Sequence, residues 1–295
     1  MKKIKVIFLT VIPLLVIYIS YLYLRTVNFA ILNPKGQVAS KEKDIILFAM
    51  MLSLFVLVPV FIMLVVFAIR YNEKNLKAKY SPNFDHSKIF ESIWWGIPTI
   101  LIIILSIVTW QSSHSLDPYK PISSSKAPLN IQVVSMNWKW LFIYPDSQVA
   151  AVNDLTIPIN TPVNLEMTSD APMNQLWIPQ LAGQIMSMPG MVTHLNLIGN
   201  TAGTYRGVSS NISGKGFAGM TFNAHVVKDS EYKNWISHAR KSPNVLNLKG
   251  YQELNVPSEY VPATYYSYAS PDLFSYIYNK YMSPANDNMN VGMSY

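Results

Sequence analysis

The sequence predicts a membrane-anchored α plus all-β protein: a transmembrane helical hairpin, then an external β domain, then a helical C-terminal arm. Two patterns in the 295 residues carry this prediction. Three uncharged apolar runs lie before Gln111, and short β-rich stretches follow between about Leu129 and Val227. A third observation, the absence of cysteine, limits the chemistry that the β domain can perform.

The three apolar runs, residues 6–24, 45–69 and 92–110, are each long enough to cross a membrane. A helix rises about 1.5 Å per residue, so about 20 apolar residues span a hydrocarbon core of about 30 Å. The second and third runs predict a transmembrane helical hairpin over residues 45–111, after an external loop over residues 25–44.

Residues 1–24 leave two alternatives open. Three lysines among the first five residues precede an apolar stretch, a layout typical of a secretory signal. No small-x-small cleavage motif follows, since the run continues through Tyr21, Tyr23 and Arg25. This favours an uncleaved anchor helix over a removed signal.

The loop between the second and third runs is basic. Residues 70–88 carry five Lys and Arg side chains against two acidic ones. Short basic loops stay on the cytoplasmic side, which predicts a multi-pass protein of the bacterial inner membrane with residues 112–295 in the periplasm. The formal charge of +7 does not indicate nucleic-acid binding, because the basic residues are scattered and no nucleic-acid module is visible.

The β domain is predicted over residues 125–228. Alternating β-rich stretches separated by Pro, Gly, Asn and Asp favour an antiparallel sandwich or barrel. The clearest strands are residues 131–134, 155–159, 163–167 and 194–198. Residues 229–282 are expected to form a helical arm, with helices at 231–240 and 272–282. Residues 283–295, rich in Asn and Met, are expected to be a disordered tail.

Several motifs resemble subunit II of the haem-copper oxidases. Residues 138–144, W-K-W-L-F-I-Y, are similar to the W-x-W-x-aromatic-x-Y segment of that family. The bo-type ubiquinol oxidase branch matches best, through N-P-K-G-Q at 33–37, K-Y-S-P-N at 79–83, V-V-S-M-N-W-K-W at 133–140 and P-S-E-Y at 257–260. The resemblance covers nearly the whole chain from 33 to 282, and it implies a cupredoxin-like β-sandwich.

The resemblance also identifies the positions of a copper site that is lost here. In cytochrome c oxidases this domain binds copper through His, Cys, Glu and Met in a C-x-E-x-C-x3-H-x2-M loop and one earlier His. The matching positions, good to about one residue, are Asn174, Val208, Ser210, Ile212, Phe217 and Met220. Bridging thiolates are required for a dinuclear centre and one thiolate for a blue-copper site, so this chain can assemble neither.

Met220 is the one matching ligand that remains, and a thioether alone is a weak ligand. Core packing is therefore the favoured interpretation of Met220. His194 and His225 are interpreted as surface or hydrogen-bonded side chains rather than as a metal pair. The aromatic cluster Trp138, Trp140 and Tyr144 is expected to cap the sandwich and pack against subunit I.

The resemblance implies a non-redox subunit II of a proton-pumping cytochrome bo-type ubiquinol oxidase. Haems and copper are expected in subunit I, where ubiquinol would deliver electrons; this chain would bind no cofactor and no cytochrome c. Its partners would be subunits I, III and IV and the lipid membrane, and its role the assembly and support of subunit I.

Glu91 is the candidate functional carboxylate, because it lies at the start of the third apolar run, beside the basic loop. A carboxylate is favoured at a helix N-terminus. In the family, a matching Glu lies near the mouth of a proton channel of subunit I, which implies proton uptake; an interfacial acid without a proton role is the alternative. For the whole chain, the alternative is a membrane-tethered periplasmic β-sandwich that binds a partner outside any oxidase.

Overall fold

The computed structural model describes residues 15–16, 18–23, 26, 29–72, 75 and 86–282. Two long helices, α1 (Gln37–Arg70) and α2 (Lys88–Ser115), contain the second and third apolar runs. Both are long and apolar enough to cross a membrane, and their large apolar side chains are exposed on every side. Such exposure is typical of a helix that lies in lipid, so the predicted hairpin helices are confirmed.

The N-terminal segment and the C-terminal tail are largely outside the described residues. Those described between 15 and 26 have helical backbone, and the rest of the predicted signal or anchor segment is not described. The tail predicted over residues 283–295 also lies outside. By its contacts the chain divides into two compact units, Lys41–Lys120 and Met1–Ser40 with Pro121–Tyr295.

Helix α1 begins earlier than the apolar run predicted, so residues 37–44 are helical rather than part of an external loop. The apolar pattern marks only the part of a helix that can lie in lipid. The start is set by the preceding turn, where the amides of Lys35 and Gly36 donate to the Gln180 carbonyl at 2.7 and 3.0 Å. A Cβ at Gly36 would lie 2.4 Å from the Leu181 carbonyl oxygen, so only glycine fits there.

The β domain contains ten strands between Leu129 and Val227, and the four strands predicted from the sequence each overlap one of them. Their bounds are β1 Leu129–Met136, β2 Lys139–Tyr144, β3 Val149–Val152, β4 Asp154–Pro158, β5 Pro162–Ser169, β6 Asn174–Trp177, β7 Gln184–Ser187, β8 Thr193–Ile198, β9 Gly203–Ser209 and β10 Thr221–Val227. After them come α3 Asp229–Ala239, β11 Val245–Leu246, α4 Leu248–Leu254, β12 Thr264–Tyr266, β13 Tyr268–Ala269 and α5 Leu273–Asn279.

Two sheets form a sandwich. The first has the order β12-β3-β2-β1-β5-β8 and the second β4-β10-β9-β6-β7. Most strand pairs of this sandwich are antiparallel, as predicted, but β1 pairs with β5 and β10 with β4 in parallel. After β1 the chain forms β2 and β3 in the first sheet and then β4 in the second sheet. It returns to the first sheet as β5, which lies beside β1. Residue patterning shows that a strand exists but not the direction of its neighbour.

The six-stranded sheet is buried on both faces. Trp140, Phe142 and Tyr144 of β2 face a core shared with the second sheet. Leu141 and Ile143 face a separate core, formed with the C-terminal arm residues Leu246, Tyr251, Ala269, Leu273, Phe274 and Ile277. The arm is therefore a third layer of the domain. This explains why β2 is apolar at every position from Trp140 to Tyr144 instead of alternating.

The arm is less purely helical than predicted. Helices α3 and α5 agree with the two predicted segments, although α5 ends at Asn279 rather than at 282. The short helix α4 was not predicted, nor were the three strands of the arm. One of them, β12, pairs with β3 and so becomes the edge strand of the first sheet.

Candidate functional site

The position that matches the first copper His holds an amide whose bonds are satisfied locally. Asn174 is the first residue of β6 and is 1% exposed. Its Oδ1 accepts a hydrogen bond from Ser209 Oγ at 3.3 Å, and its Nδ2 donates to the Pro172 carbonyl at 2.9 Å. Pairing of β6 with β9 brings the two side chains together. The pair is a structural contact without an acidic or imidazole donor.

The structure does not bring the other matching positions together around Asn174. Val208 is half-buried in β9, and Ser210 Oγ donates to Gln184 Oε1 at 2.8 Å. Ile212 is 79% exposed. Ser209, the last residue of β9 and one position from the predicted Ser210, lies beside Asn174.

Trp138 packs beneath the loop after β9. Its indole Nε1 donates to the Ser213 carbonyl at 3.1 Å, and a Cβ at Gly216 would lie 2.4 Å from the indole ring. The backbone of Trp138 has a φ of 65°, a left-handed conformation that is costly for a bulky residue. The turn between β1 and β2 imposes this conformation. As a result, the ring packs against the loop after β9, at Gly214 and Gly216.

The remaining two matching positions close the loop by packing. Phe217 is half-buried in a 3-10 turn, Phe217–Gly219. Met220 has no exposed surface and belongs to the core shared by the two sheets. Core packing of Met220, the favoured interpretation, is confirmed.

Trp140 and Tyr144 do not cap the sandwich, so that prediction is wrong for both. Trp140 is fully buried, with its ring centroid 6.0 Å from that of Phe222. Tyr144 Oη donates to the Thr156 carbonyl at 3.0 Å and accepts from the Thr156 amide at 2.9 Å. Burial raises the pKa of Tyr144 well above its usual value. Alternation along β2 turns both rings into the core shared by the two sheets.

Asp170 is a buried carboxylate that the sequence analysis did not identify as important. Tyr251, Asn255, Lys280 and Tyr281 of the C-terminal arm all donate hydrogen bonds to it, the Lys280 ammonium at 2.7 Å and the Asn255 amide at 3.0 Å. Burial, followed by the charge of Asp170, raises the pKa of Tyr251. The four donors attach the arm to the end of β5.

Lys139 attaches another part of the arm. It lies on β2 with its side chain on the arm side, and its ammonium donates to the Val256 carbonyl at 2.8 Å and to Ser258 Oγ at 2.5 Å. Burial lowers the pKa of Lys139. A charged residue within an apolar strand was the available sequence signal for this contact, because a buried charge needs partners.

His194 and His225 are hydrogen-bonded, as interpreted from the sequence. His194 Nδ1 lies 3.4 Å from Asn164 Oδ1, and His225 lies between Thr204 Oγ1 at 2.8 Å and Asp154 Oδ2 at 3.4 Å. The hydrogen bond to Asp154 raises the pKa of His225. Within the described part of the chain, no group of three or more His, Cys, Asp or Glu side chains could hold a metal ion.

The residues present do not fit a dinuclear copper centre. The chain has no cysteine at all. The matching loop supplies amide, hydroxyl and hydrocarbon groups and the single thioether of Met220, which is buried in the core. Soft thiolate ligands are what such a copper site requires. No electron-transfer step through this loop follows from the structure.

Glu91 lies in the first turn of α2. Its amide donates to the Ser87 carbonyl at 2.9 Å, and its carboxylate Oε1 is 3.4 Å from His86 Nδ1. The side chains are 54% exposed for Glu91 and 85% exposed for His86. An acid in the first turn interacts favourably with the helix dipole.

Comparison with known proteins gives two family matches. The profile described as "Cytochrome C oxidase subunit II, periplasmic domain" matches residues 145–227. The profile described as "COX Aromatic Rich Motif" matches residues 240–285. These ranges correspond to the sandwich from the end of β2 to β10 and to the arm that forms the third layer.

Three relatives align over most of the chain. Cytochrome bo(3) ubiquinol oxidase subunit 2 of Pseudomonas putida is 46% identical over 264 residues, 90% of this chain and 84% of the relative. That of Pseudomonas aeruginosa is 45% identical over 254 residues, 86% and 77% of the two chains. Ubiquinol oxidase subunit 2 of Acetobacter aceti is 39% identical over 264 residues, 89% and 86%. This chain therefore belongs to the subunit 2 family of the bo-type ubiquinol oxidases.

Proposed function

We propose that this chain is a non-redox subunit of a proton-pumping ubiquinol oxidase, in which it supports the catalytic subunit and carries no electrons itself. The observation that carries the proposal is the loop of residues 208–220. By the resemblance to cytochrome c oxidases this loop matches their copper-binding loop, yet it offers no thiolate or imidazole and is packed against the indole of Trp138.

Electrons then enter the complex elsewhere. Ubiquinol is soluble in lipid, and in this proposal it is oxidised at subunit I, where the haems and copper are bound. Cytochrome c has no role as a donor, because the β domain offers no acceptor for its electron. The reaction of the complex is the oxidation of ubiquinol coupled to the reduction of O2 to water.

The partners of the chain are subunits I, III and IV and the lipid membrane. Exposed apolar side chains along α1 and α2 support insertion of both helices in a bilayer. The basic loop between them supports a cytoplasmic position for the hairpin turn and a periplasmic one for the β domain. The arm stabilises the β domain through its hydrogen bonds with Asp170 and Lys139.

Glu91 has a role in proton uptake in this proposal. Glu91 is a half-exposed carboxylate in the first turn of α2, which is the cytoplasmic end of the helix in the proposed orientation. Protons consumed at the catalytic centre and those pumped both come from that side. Glu91→Gln, which keeps the shape and removes the charge, is expected to slow turnover and proton uptake of the complex together.

Purification of the complete complex tests the proposal. Oxidation of ubiquinol with O2 uptake, and the failure of reduced cytochrome c as a donor, are the expected results. Metal analysis is expected to show copper in the amount that subunit I holds. Copper bound to this chain, or rapid oxidation of cytochrome c, would contradict the proposal. Unchanged turnover and proton uptake in Glu91→Gln would remove the role of Glu91 alone.

A further inference from the structure

We infer that His86 is a proton-collecting residue that delivers protons to Glu91. The inference rests on the proposed role of Glu91 in proton uptake and adds the group that feeds it. Among the described residues, Glu91 is the acidic side chain within 4 Å of His86, at an Nδ1 to Oε1 distance of 3.4 Å. Lys88 is the neighbouring cation on α2.

The start of α2 determines this arrangement. Ser87 has extended backbone just before the helix begins at Lys88, and its carbonyl accepts the amide of Glu91. This first turn brings the side chain of Glu91 close to that of His86, the residue before Ser87. The imidazole and the carboxylate therefore meet although five positions separate them in the sequence.

Both side chains are accessible to water. His86 is 85% exposed and Glu91 54% exposed. Exposed side chains change rotamer within nanoseconds, and at 3.4 Å the two groups are within hydrogen-bonding distance. Imidazole changes its charge between about pH 5 and 8, unlike the other unperturbed side chains. The imidazole of His86 can therefore accept a proton from water and offer it to the carboxylate, which lies 3.4 Å away.

The proton transfer balances without any other reactant. Protonated His86 gives its Nδ1 proton to Oε1 of Glu91 and remains neutral, with the proton on Nε2. Once Glu91 has passed its proton inward, His86 takes another at Nδ1 from water or buffer. Each cycle moves one proton and leaves both side chains as they began.

A second collecting group matters because free protons are scarce at neutral pH. A diffusion-limited encounter has a rate constant of at most about 10^10 M⁻¹ s⁻¹, so at pH 7 one site meets free protons on the order of 10^3 times per second. Enzyme turnover commonly lies between about 1 and 10^3 per second. Since each turnover takes up several protons, capture by a lone carboxylate becomes limiting as the pH rises.

The test measures ubiquinol oxidation by the intact complex from pH 6 to pH 9 in weak buffer. His86→Gln is expected to retain the parent rate at pH 6 and to lose about half or more of it above pH 8. Added imidazole is expected to restore most of the lost rate, since it replaces the missing collecting group. His114→Gln, which changes an exposed histidine in the last turn of the same helix, is the matched control and is expected to follow the parent at every pH. Haem content of each preparation shows that the complex is assembled.

The outcomes separate this inference from the role of Glu91. If Glu91→Gln is slow and His86→Gln follows the parent at every pH, His86 has no part in proton delivery. If His86→Gln is slowed equally at every pH and imidazole does not restore the rate, its role is structural and the inference is overturned. If Glu91→Gln also follows the parent, the proposed uptake role is lost together with the inference.

Discussion

The ammonium group of Lys280 lies 2.7 Å from the carboxylate Oδ1 of Asp170, although 110 residues separate them in the sequence. The side chain of Asp170 is 1% exposed and that of Lys280 33%. The ion pair connects the C-terminal end of α5 to the residue that follows β5. The arm is therefore held by a buried charge as well as by its apolar core.

Asp170→Asn is expected to loosen the arm. Removal of one partner from a fully buried ion pair costs about 3–5 kcal/mol; because Lys280 is partly exposed, we expect about 2–3 kcal/mol. Thermal unfolding and limited proteolysis of the purified complex measure the effect, with new cleavage expected within residues 240–282. Asp229→Asn is the control, since its pair with Lys126 is largely exposed and contributes at most about 1 kcal/mol. If Asp170→Asn and Asp229→Asn are equally resistant to proteolysis, the apolar core alone holds the arm.

Met220 distinguishes packing from metal binding. Met220→Leu keeps the volume and removes the sulfur, so we expect a loss of less than about 1.5 kcal/mol and no change in copper content or oxidase activity. Met220→Ala is expected to cost about 2–5 kcal/mol, because it leaves a cavity in the shared core. Chemical denaturation measures the loss of stability in each variant, and metal analysis measures the copper content. Loss of copper from the Leu variant would identify the thioether as a ligand.

Gly216 tests the contact between the loop and Trp138. A Cβ there would lie 2.4 Å from the indole, so Gly216→Ala must displace the ring or the loop and break the hydrogen bond to the Ser213 carbonyl. We expect a destabilisation of about 1–3 kcal/mol, measured as a lower midpoint of thermal unfolding. Gly96→Ala is the control, because no atom lies within 4 Å of the added methyl group. If both variants unfold at the parent temperature, the loop is not packed against the indole of Trp138.

His225 makes the stability of the sandwich depend on pH. The hydrogen bond to Asp154 raises the pKa of His225 above the ordinary value of 6.5. A raised pKa in the folded state gives stability that is fully present below the unfolded pKa and is lost as the pH rises through the folded pKa. The domain is therefore expected to be more stable at pH 6 than at pH 8, by denaturant midpoint. His225→Gln should flatten this dependence, and an unchanged slope would assign it to another group.

The apolar runs predicted the two membrane helices because length and hydropathy depend on local sequence alone. The start of α1 could not be predicted in this way, because it depends on hydrogen bonds from Lys35 and Gly36 to the distant Gln180 carbonyl. Strands that alternate, such as β5 and β8, were also visible. Strand β2 was recognised only as an aromatic cluster, because both of its faces are buried and its period is hidden.

The inability of this loop to bind copper through thiolates could be predicted from the sequence, since the chain has no cysteine at any register of the loop. The exact neighbours could not, and Ser209 rather than Ser210 lies beside Asn174. Asp170 was missed because its donors come from residues 251–281, and no local pattern connects them. Lys139 gave a readable signal, a charge among aromatic residues, but its partners in the arm lie more than a hundred residues later.

Completion of the third layer sets a time order for folding of the chain. The groups that close the outer face of the first sheet reach as far as Tyr281, fourteen positions from the end of the sequence. Until synthesis has passed that point, Leu141, Ile143 and their neighbours in this core remain exposed to solvent, where chaperones and proteases can bind them. A polypeptide that ends before α5 therefore exposes apolar surface of the first sheet, which chaperones and proteases can recognise before the chain is assembled into a complex.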